Sequence, residues 1–171
     1  MSAHRISAVV CAALALTFAS SSAALAHGST SGNPPSEAVD CARGSGAIFG
    51  TDGDDTALKG TSGDDIICGL DGDDTIEGLG GNDRIYGGNG NDHIDGQPGN
   101  DYIDGGAGND YLDGGNGNAT ILGGDGDDMI FGHPGADTID GGPGIDTIDG
   151  GTGTDTCGSR ETGEPLFVNC P

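Results

Sequence analysis

The chain has 171 residues, of which 37 are Gly, and 28 Asp and Glu against 5 Lys and Arg give a formal net charge of −23. Only 4% of the residues are aromatic and none is Trp, which argues against an ordinary core of mixed large apolar side chains. The like-sign charge argues against nucleic acid and anionic membranes as partners. The composition therefore indicates either an acidic disordered chain or a fold that uses carboxylates and glycines structurally.

The first 26 residues have the form of a secretory signal peptide. A short start ending in Arg5 precedes an apolar run over residues 6–19, and residues 24–26 have the small-x-small form of a signal-peptidase site. The run is too short to span a bilayer comfortably, so we predict a secreted, extracellular protein without membrane insertion. The predicted order is a signal peptide (1–26), a flexible leader and N-terminal cap (27–47), a repeat region (48–158) and a C-terminal cap (159–171).

Four cysteines remain once Cys11, inside the signal, is removed. An even number in an exported chain indicates two disulfides, for which three connectivities are possible. The cysteines cluster in two pairs at opposite ends of the mature region, so we predict Cys41–Cys68 and Cys157–Cys170. Free or metal-binding thiols are the alternative, and an oxidising destination disfavours them.

A period of nine residues organises the middle of the chain. Eleven consecutive nonapeptides run over residues 60–158, and a twelfth, starting at Gly50, precedes them with one extra residue before Gly60. All copies have Gly at the first and fourth positions, and the eighth is Ile or Leu except at Ala57 and Cys157. Eleven copies have Asp at the sixth position: Asp55, Asp65, Asp74, Asp83, Asp92, Asp101, Asp110, Asp128, Asp137, Asp146 and Asp155.

This spacing predicts an all-β stack of coils. Glycines three apart allow sharp turns with positive φ, and the three residues that follow are extended with the middle one pointing inward. One inward Ile for every nine residues forms a core only if successive copies stack, each strand bonding to the strand two copies away. Two copies then make one coil, and twelve make about six. Ile48, in a degenerate copy, and residues 166–168 are expected to cover the ends.

Stacking places equivalent aspartates above one another, where uncompensated carboxylates repel. A hard dication between the coils resolves the repulsion, and an all-oxygen site of six to eight ligands is typical of Ca²⁺. Mg²⁺ is too small and holds its water too tightly, and Zn²⁺ prefers His or thiolate ligands. The predicted ligands are the eleven sixth-position aspartates together with backbone carbonyls of turn glycines such as Gly87, Gly90, Gly105, Gly108, Gly123 and Gly126.

The nonapeptide resembles G-G-x-G-x-D-x-U-x, the repeat of the RTX (repeats-in-toxin), or hemolysin-type, calcium-binding family. The copies starting at Gly87 and Gly105 match it at every defined position, and the resemblance covers residues 50–158. It implies a parallel β-roll, a right-handed solenoid of about twelve nonapeptide repeats, and the two disulfides predicted from the cysteine pairs would cap its ends. It also implies Ca²⁺ held between the turns of copies i and i+2, with sixth-position aspartates and backbone carbonyls as ligands.

Two departures from the pattern affect the expected number of ions. Ala119 replaces the sixth-position Asp, so the sites shared by its copy and its two stacking neighbours should be weakened or empty. From Ala136 onward the fifth position loses its Asp or Asn, which is expected to lower affinity near the end. Two edges with five gaps each offer about ten sites, and about eight once Ala119 is allowed for. Without Ca²⁺ we expect a disordered chain, so binding and folding should be one event.

Larger outward side chains gather into one patch on each face of the predicted roll. They are His93, Tyr111, Met129 and Phe131 on one face, and Arg84, Tyr86 and Tyr102 on the other. Two interpretations are open: a surface for a cell-surface polysaccharide or a partner protein, or ordinary cross-strand packing.

The sequence contains no signature of catalysis. It has neither the H-E-x-x-H of zinc proteases nor the G-x-S-x-G of serine hydrolases, and ion-bound carboxylates are not free for proton transfer. We therefore expect a protein that is not an enzyme and that binds Ca²⁺ with structural or adhesive consequences. The alternative is an accessory or detached calcium-binding module of an exported enzyme or toxin.

Overall fold

The computed structural model describes residues 40–41, 46–158 and 166–170. The predicted signal peptide, nearly all of the leader and most of the C-terminal cap lie outside these described residues. Within them no helix is long and apolar enough to cross a bilayer. The regular structure is a series of short strands: β1 (Ile48–Phe49), β2 (Leu58–Lys59), β3 (Ile66–Asp71), β4 (Thr75–Glu77), β5 (Arg84–Asn89), β6 (His93–Asp95), β7 (Tyr102–Ala107), β8 (Tyr111–Asp113), β9 (Thr120–Asp125), β10 (Met129–Phe131), β11 (Pro134–Gly135), β12 (Thr138–Asp140), β13 (Thr147–Asp149), β14 (Thr152–Gly153), β15 (Thr156–Gly158) and β16 (Leu166–Val168).

Fourteen of the strands form two seven-stranded parallel sheets, and β11 pairs with β14 in a separate two-stranded parallel sheet. Sheet A has the order β1-β3-β5-β7-β9-β12-β15, and sheet B the order β16-β13-β10-β8-β6-β4-β2. Strands that neighbour each other in a sheet are one coil apart in sequence, as where Ile85 pairs with Ile103 and Ile94 pairs with Leu112. The chain therefore alternates between the sheets in a solenoid of about six turns, which confirms the predicted all-β parallel roll.

The core is a single row of aliphatic side chains between the sheets. The eighth-position residues from Ile67 to Ile148 are at most 2% exposed and form one cluster. Burial of each such side chain contributes about 1.5–3 kcal/mol. With one such residue per strand, stability depends on stacking and on the turns.

The structure corrects the repeat count at both ends. In the first copy Leu58, not Ala57, occupies the inward position and pairs with Ile76, so the extra residue lies within the turn before it. Ile48 pairs with Ile67, and Phe167 pairs with Ile148. Each sheet thus has seven strands rather than six, because both predicted end segments extend the sheets in register.

Both predicted disulfides, Cys41–Cys68 and Cys157–Cys170, are present. Cys157 and Cys170 pack against the end of the core. Cys41 and Cys68 instead pack with Tyr86, on the outer face of sheet A. The first disulfide therefore ties the N-terminal segment across a sheet face, whereas we expected it to cover the first coil.

Candidate calcium sites

The sixth-position aspartates form one column along each edge of the roll. Turns from sheet A to sheet B make the first edge, and turns from sheet B back to sheet A make the second. Nine of the eleven aspartates are at most 5% exposed. The first-edge column is Asp55, Asp74, Asp92, Asp110, Asp128 and Asp146, and the second-edge column is Asp65, Asp83, Asp101, Ala119, Asp137 and Asp155.

In the aspartates from the second coil onward, one carboxylate oxygen accepts a hydrogen bond from the backbone of the preceding coil; we call these the inner aspartates. The backbone N–H of Asp74 donates to Asp92 Oδ1 at 2.9 Å, and that of Asp83 donates to Asp101 Oδ1 at 2.8 Å. The same bond recurs along both columns, for instance from Asp110 N to Asp128 Oδ1 at 2.9 Å. A charged acceptor makes a stronger bond than a neutral one, so these aspartates hold the turns in register.

The second oxygen lacks a hydrogen-bond donor in most of these aspartates. Because a buried polar atom without a partner costs about 1–3 kcal/mol, and more for a charged group, such a row indicates that something else satisfies it. Within the described part of the chain, a buried and unbonded Oδ2 is found in Asp74, Asp83, Asp92, Asp101, Asp110, Asp128, Asp137 and Asp155.

Burial and like charge raise the pKa of several carboxyls inside the columns. Burial, and then repulsion between neighbours in the column, raises the pKa of Asp92, Asp110 and Asp128 to about 7. On the second edge burial raises the pKa of Asp101 to about 6. The hydrogen bonds to Oδ1 act in the opposite direction but do not offset burial. At neutral pH the ionised columns therefore require positive charge.

Backbone carbonyls lie beside the unbonded oxygens, and the first-position glycines make this approach possible. A Cβ on Gly78 would lie 2.6 Å from Asp83 Oδ2 and 2.8 Å from the carbonyl oxygen of Gly96 in the next coil. On the first edge Asp92 Oδ2 and the Gly105 carbonyl crowd Gly87 in the same way. At these turns a carboxylate oxygen and a first-position carbonyl of the next coil therefore both lie beside a first-position glycine.

The first-position and fourth-position glycines are required for different reasons. Positive φ occurs at the second and fourth positions, as at Gly88 (117°) and Gly90 (137°), and not at first-position Gly87. The Gly90 carbonyl faces the α-carbon of Gly108 in the next coil. The carbonyls of the first-position and the fourth-position glycines both stay predicted ligands.

The chemistry of these groups fits Ca²⁺. Carboxylate and carbonyl oxygens are the hard ligands that Ca²⁺ takes. Among the described residues no three His, Cys, Asp or Glu side chains converge as a metal-binding group, which is unlike a zinc centre. A cation in these gaps would draw most of its ligands from the main chain. The assignment of individual ligands stays a prediction.

Ala119 interrupts the second column. Its own N–H donates to Asp137 Oδ1 at 2.8 Å, but it offers no carboxylate to the coil of Asp101. A Cβ on Gly114 would meet the Cβ of Ala119 and Cδ1 of Ile121, each at 3.0 Å. Apolar atoms therefore replace the carboxylate oxygen found at equivalent turns.

A second ladder, at the fifth position, was missed as a structural element. Asn91 N donates to Asp73 Oδ1 at 2.7 Å, and Asn109 N donates to Asn91 Oδ1 at 2.9 Å. The fifth-position side chain accepts from the following coil, whereas the sixth accepts from the preceding one. The run of Asp and Asn at this position was visible in the sequence, but we related it to calcium affinity alone.

Ninth-position aspartates brace the turns from the strand side. Asp95 Oδ1 accepts the N–H of Gln97 at 3.0 Å, and Asp113 Oδ1 accepts that of Gly115 at 2.9 Å. This is the local bond that short acidic side chains form in turns. It fixes the second-position residue with positive φ.

Comparison with known proteins gives one family. The model of the RTX calcium-binding nonapeptide repeat matches four overlapping segments, residues 59–94, 86–121, 113–148 and 122–157. These segments together cover residues 59–157, more than half of the chain. Among curated proteins no match was found.

Proposed function

Because the chain belongs to the RTX calcium-binding nonapeptide-repeat family, it is a calcium-binding β-roll, and we propose that it is a secreted protein that folds when Ca²⁺ binds between its turns. Its role outside the cell is structural or adhesive. The observation that supports this most directly is the row of eight buried Oδ2 atoms without a donor. A dication would offset the cost of burying them.

In the proposed sites each ion is held by Oδ2 of a sixth-position aspartate and by a first-position carbonyl of the next coil. For the gap between the coils of Asp92 and Asp110, these groups are Asp92 Oδ2 and the Gly105 carbonyl, which both crowd Gly87. Water and further carbonyls complete the six to eight oxygen ligands of Ca²⁺. We propose about eight to ten ions in all.

Calcium would supply most of the stability. The formal charge of −23 and the thin aliphatic core favour an expanded chain until the charge is neutralised. Extracellular calcium modules bind at about 10⁻⁴–10⁻³ M. A chain of this kind stays unfolded inside the cell and folds after export. The two disulfides agree with an oxidising destination.

We also propose that the protein is not an enzyme. Each inner sixth-position carboxylate accepts a backbone N–H of the preceding coil through Oδ1, and a proposed ion takes the other oxygen. A carboxylate engaged on both oxygens is a poor general acid or base.

Circular dichroism of the full mature chain tests the proposal. In excess chelator the spectrum should be that of a disordered chain, and strand signal should appear cooperatively as CaCl₂ rises into the millimolar range. MgCl₂ at the same concentrations serves as the control and should not restore it. Equal strand signal in chelator and in calcium at pH 7.5 would contradict calcium-coupled folding.

A further inference from the structure

The outer face of sheet B carries an aromatic row that crosses several strands. The ring centroids of His93 and Tyr111 are 4.6 Å apart, those of Tyr111 and Phe131 are 5.3 Å apart, and those of Phe131 and His133 are 6.2 Å apart. Met129 beside them is 45% exposed. The row confirms that the outward residues predicted for this face come together.

Carboxylates lie directly beside the row. Asp95 and Asp113 are neighbours in register on β6 and β8, and both line an open cleft of about 320 Å³ together with Gln97, Asn116 and His133. We call the aromatic row and this cleft the face-B patch. It combines aromatic rings, two carboxylates and two side-chain amides.

The negative charge of the patch is only partly compensated. Asp113 Oδ2 lies 3.0 Å from His133 Nε2, and Lys59 lower on the same face is paired with Glu77 at 2.7 Å. Within the described residues no Lys, Arg or His forms an ion pair with Asp95.

The opposite face shows the same groups with a cation in place. On sheet A the guanidinium of Arg84 lies 3.0 Å from Asp40 Oδ2 and 5.8 Å from the ring centre of Tyr102. Tyr86 donates to the same carboxylate at 2.7 Å. The acid and the rings on the outer face of sheet A therefore contact the chain's own arginine, whereas in the face-B patch one of the two acids, Asp113, pairs with a histidine only.

We propose that the face-B patch binds an arginine side chain of a partner polypeptide. A planar guanidinium stacks on aromatic rings and bonds carboxylates in pairs, which a lysine ammonium does less well. A neutral sugar fits less well, because it leaves the charge of Asp95 uncompensated. The inference names the partner for the adhesive role proposed above and rests on the calcium-folded roll.

Two turns beside the cleft have a polar side chain at the second position of the repeat. Gln97 and His133 have φ of 66° and 68° at a second position where most other copies place Gly. Stacking alone would favour Gly there. Leu70 and Leu79 also have positive φ at this position, so what distinguishes the turns at the cleft is that Gln97 and His133, which line it, are polar.

The test uses the full mature chain in millimolar CaCl₂ and 150 mM NaCl, with the capped tripeptide Gly-Arg-Gly as the probe and Gly-Lys-Gly beside it. A monovalent probe avoids the non-specific attraction of polybasic peptides to an acidic protein. Ring signals of Tyr111 and His133 in carbon–proton NMR spectra should shift and saturate with the arginine probe, and those of Tyr86 should not. The lysine probe should bind at least about threefold more weakly.

Matched variants locate the site. Asp95→Asn keeps the oxygen that accepts Gln97 N–H but removes the charge, and it should weaken arginine binding about tenfold, the effect of about 1.4 kcal/mol. Tyr111→Val removes a ring and should also weaken binding. Asp140→Asn is the control, because Asp140 makes the same turn bond to Gly142 on sheet A and should leave binding unchanged.

Each other outcome overturns the inference. Equal losses in Asp95→Asn and Asp140→Asn would show a diffuse response to negative charge, and shifts that do not saturate would show no site. A chain that folds with calcium but ignores the probe refutes the face-B patch and leaves calcium-coupled folding intact. A chain that does not fold with calcium refutes the proposed function and this inference with it.

Discussion

The two edges of the roll repeat the same turn but differ in the continuity of their aspartate columns. On the first edge six aspartates follow one another without a break, whereas Ala119 splits the second column. Burial together with column neighbours raises the pKa of Asp110 to about 7, and that of Asp101, next to the break, to about 6. Burial is the main cause in both, but each inner aspartate of the unbroken column has a like charge on both sides, so the first edge should depend more on calcium.

The different contacts of the two carboxylate oxygens explain why the fold tolerates a column of aspartates. Inside the columns a carboxylate such as that of Asp110 accepts a backbone N–H of the preceding coil through Oδ1 and keeps Oδ2 without a donor, whereas Oδ2 of Asp55 and of Asp65 in the first coil accepts from Thr51 and Thr61. Removal of one member both frees a backbone N–H and lowers repulsion on its neighbours. The net effect of a substitution depends on whether a cation is present, and this dependence can be measured.

The largest expected effect is the response of the calcium-free chain to pH. The carboxyl pKa values of Asp92, Asp110 and Asp128 are raised in the fold from 3.8 to about 7. The folded state therefore binds more protons, and its stability is fully present below about pH 3.8 and lost as pH rises through about 7. In chelator, strand signal should be stronger at pH 4.5 than at pH 8.

With calcium the pH dependence of stability has the opposite sign, since protons compete with the ion for the same oxygens. The calcium concentration at the folding midpoint should rise as pH falls from 7.5 to 5.5. Asp110→Asn on the first edge should reduce the pH response of the calcium-free chain more than Asp101→Asn does on the second. A calcium-free signal that does not vary with pH would contradict the assignment of raised pKa values.

The next effect concerns loss of one carboxylate from each edge. Asp110→Ala disturbs the gaps on both sides of its coil, whereas one of the two gaps beside Asp101 already lacks a carboxylate at Ala119. Each change leaves one backbone N–H without its acceptor, that of Asp92 or of Asp83, at about 1–3 kcal/mol. At saturating calcium Asp110→Ala should therefore cost about 1 kcal/mol more than Asp101→Ala.

Calorimetric titration and thermal unfolding measure this difference. Asp110→Ala should lose about one more ion than Asp101→Ala does. Equal losses of ions and of unfolding free energy would mean that the gaps beside Ala119 are as complete as those on the first edge.

A smaller gain is expected from repair of the second edge. Ala119→Asp restores an acceptor for Asp101 N–H and the missing carboxylate oxygen, so it should add one or two ions and about 1–2 kcal/mol at saturating calcium. Ala119→Asn is the matched control, because it restores the acceptor without the charge. In chelator at pH 7.5 the Asp variant should be less stable than the Asn variant. No added ion in the Asp variant would argue against the proposed ligand set.

The regular part of the fold was predictable because every repeat carries the same residue pattern. The period placed Ile94 inward and Asp92 at an edge, and the pairing of cysteines at the two ends followed from their clustering. The reason why position 87 needs glycine was not predictable. Either a positive φ or the close approach of neighbouring atoms can require glycine, and only the structure shows that the second applies to Gly87. The hydrogen bonds of Asp40 with Arg84 and Tyr86 could not be predicted either, because they join residues about 45 positions apart that belong to no repeated pattern.

The smallest effect separates the fifth-position ladder from calcium binding. Ala136 N–H donates to Asn118 Oδ1 at 2.9 Å, but Ala136 has no side-chain acceptor for Thr154 in the coil above. Ala136→Asn should add that bond and about 0.5–1 kcal/mol, with no change in the number of ions. Asn118→Ala is the converse and should cost a similar amount, as measured by thermal unfolding at saturating calcium. A change in calcium stoichiometry in either variant would instead place the fifth position among the ligands, as the sequence pattern first suggested.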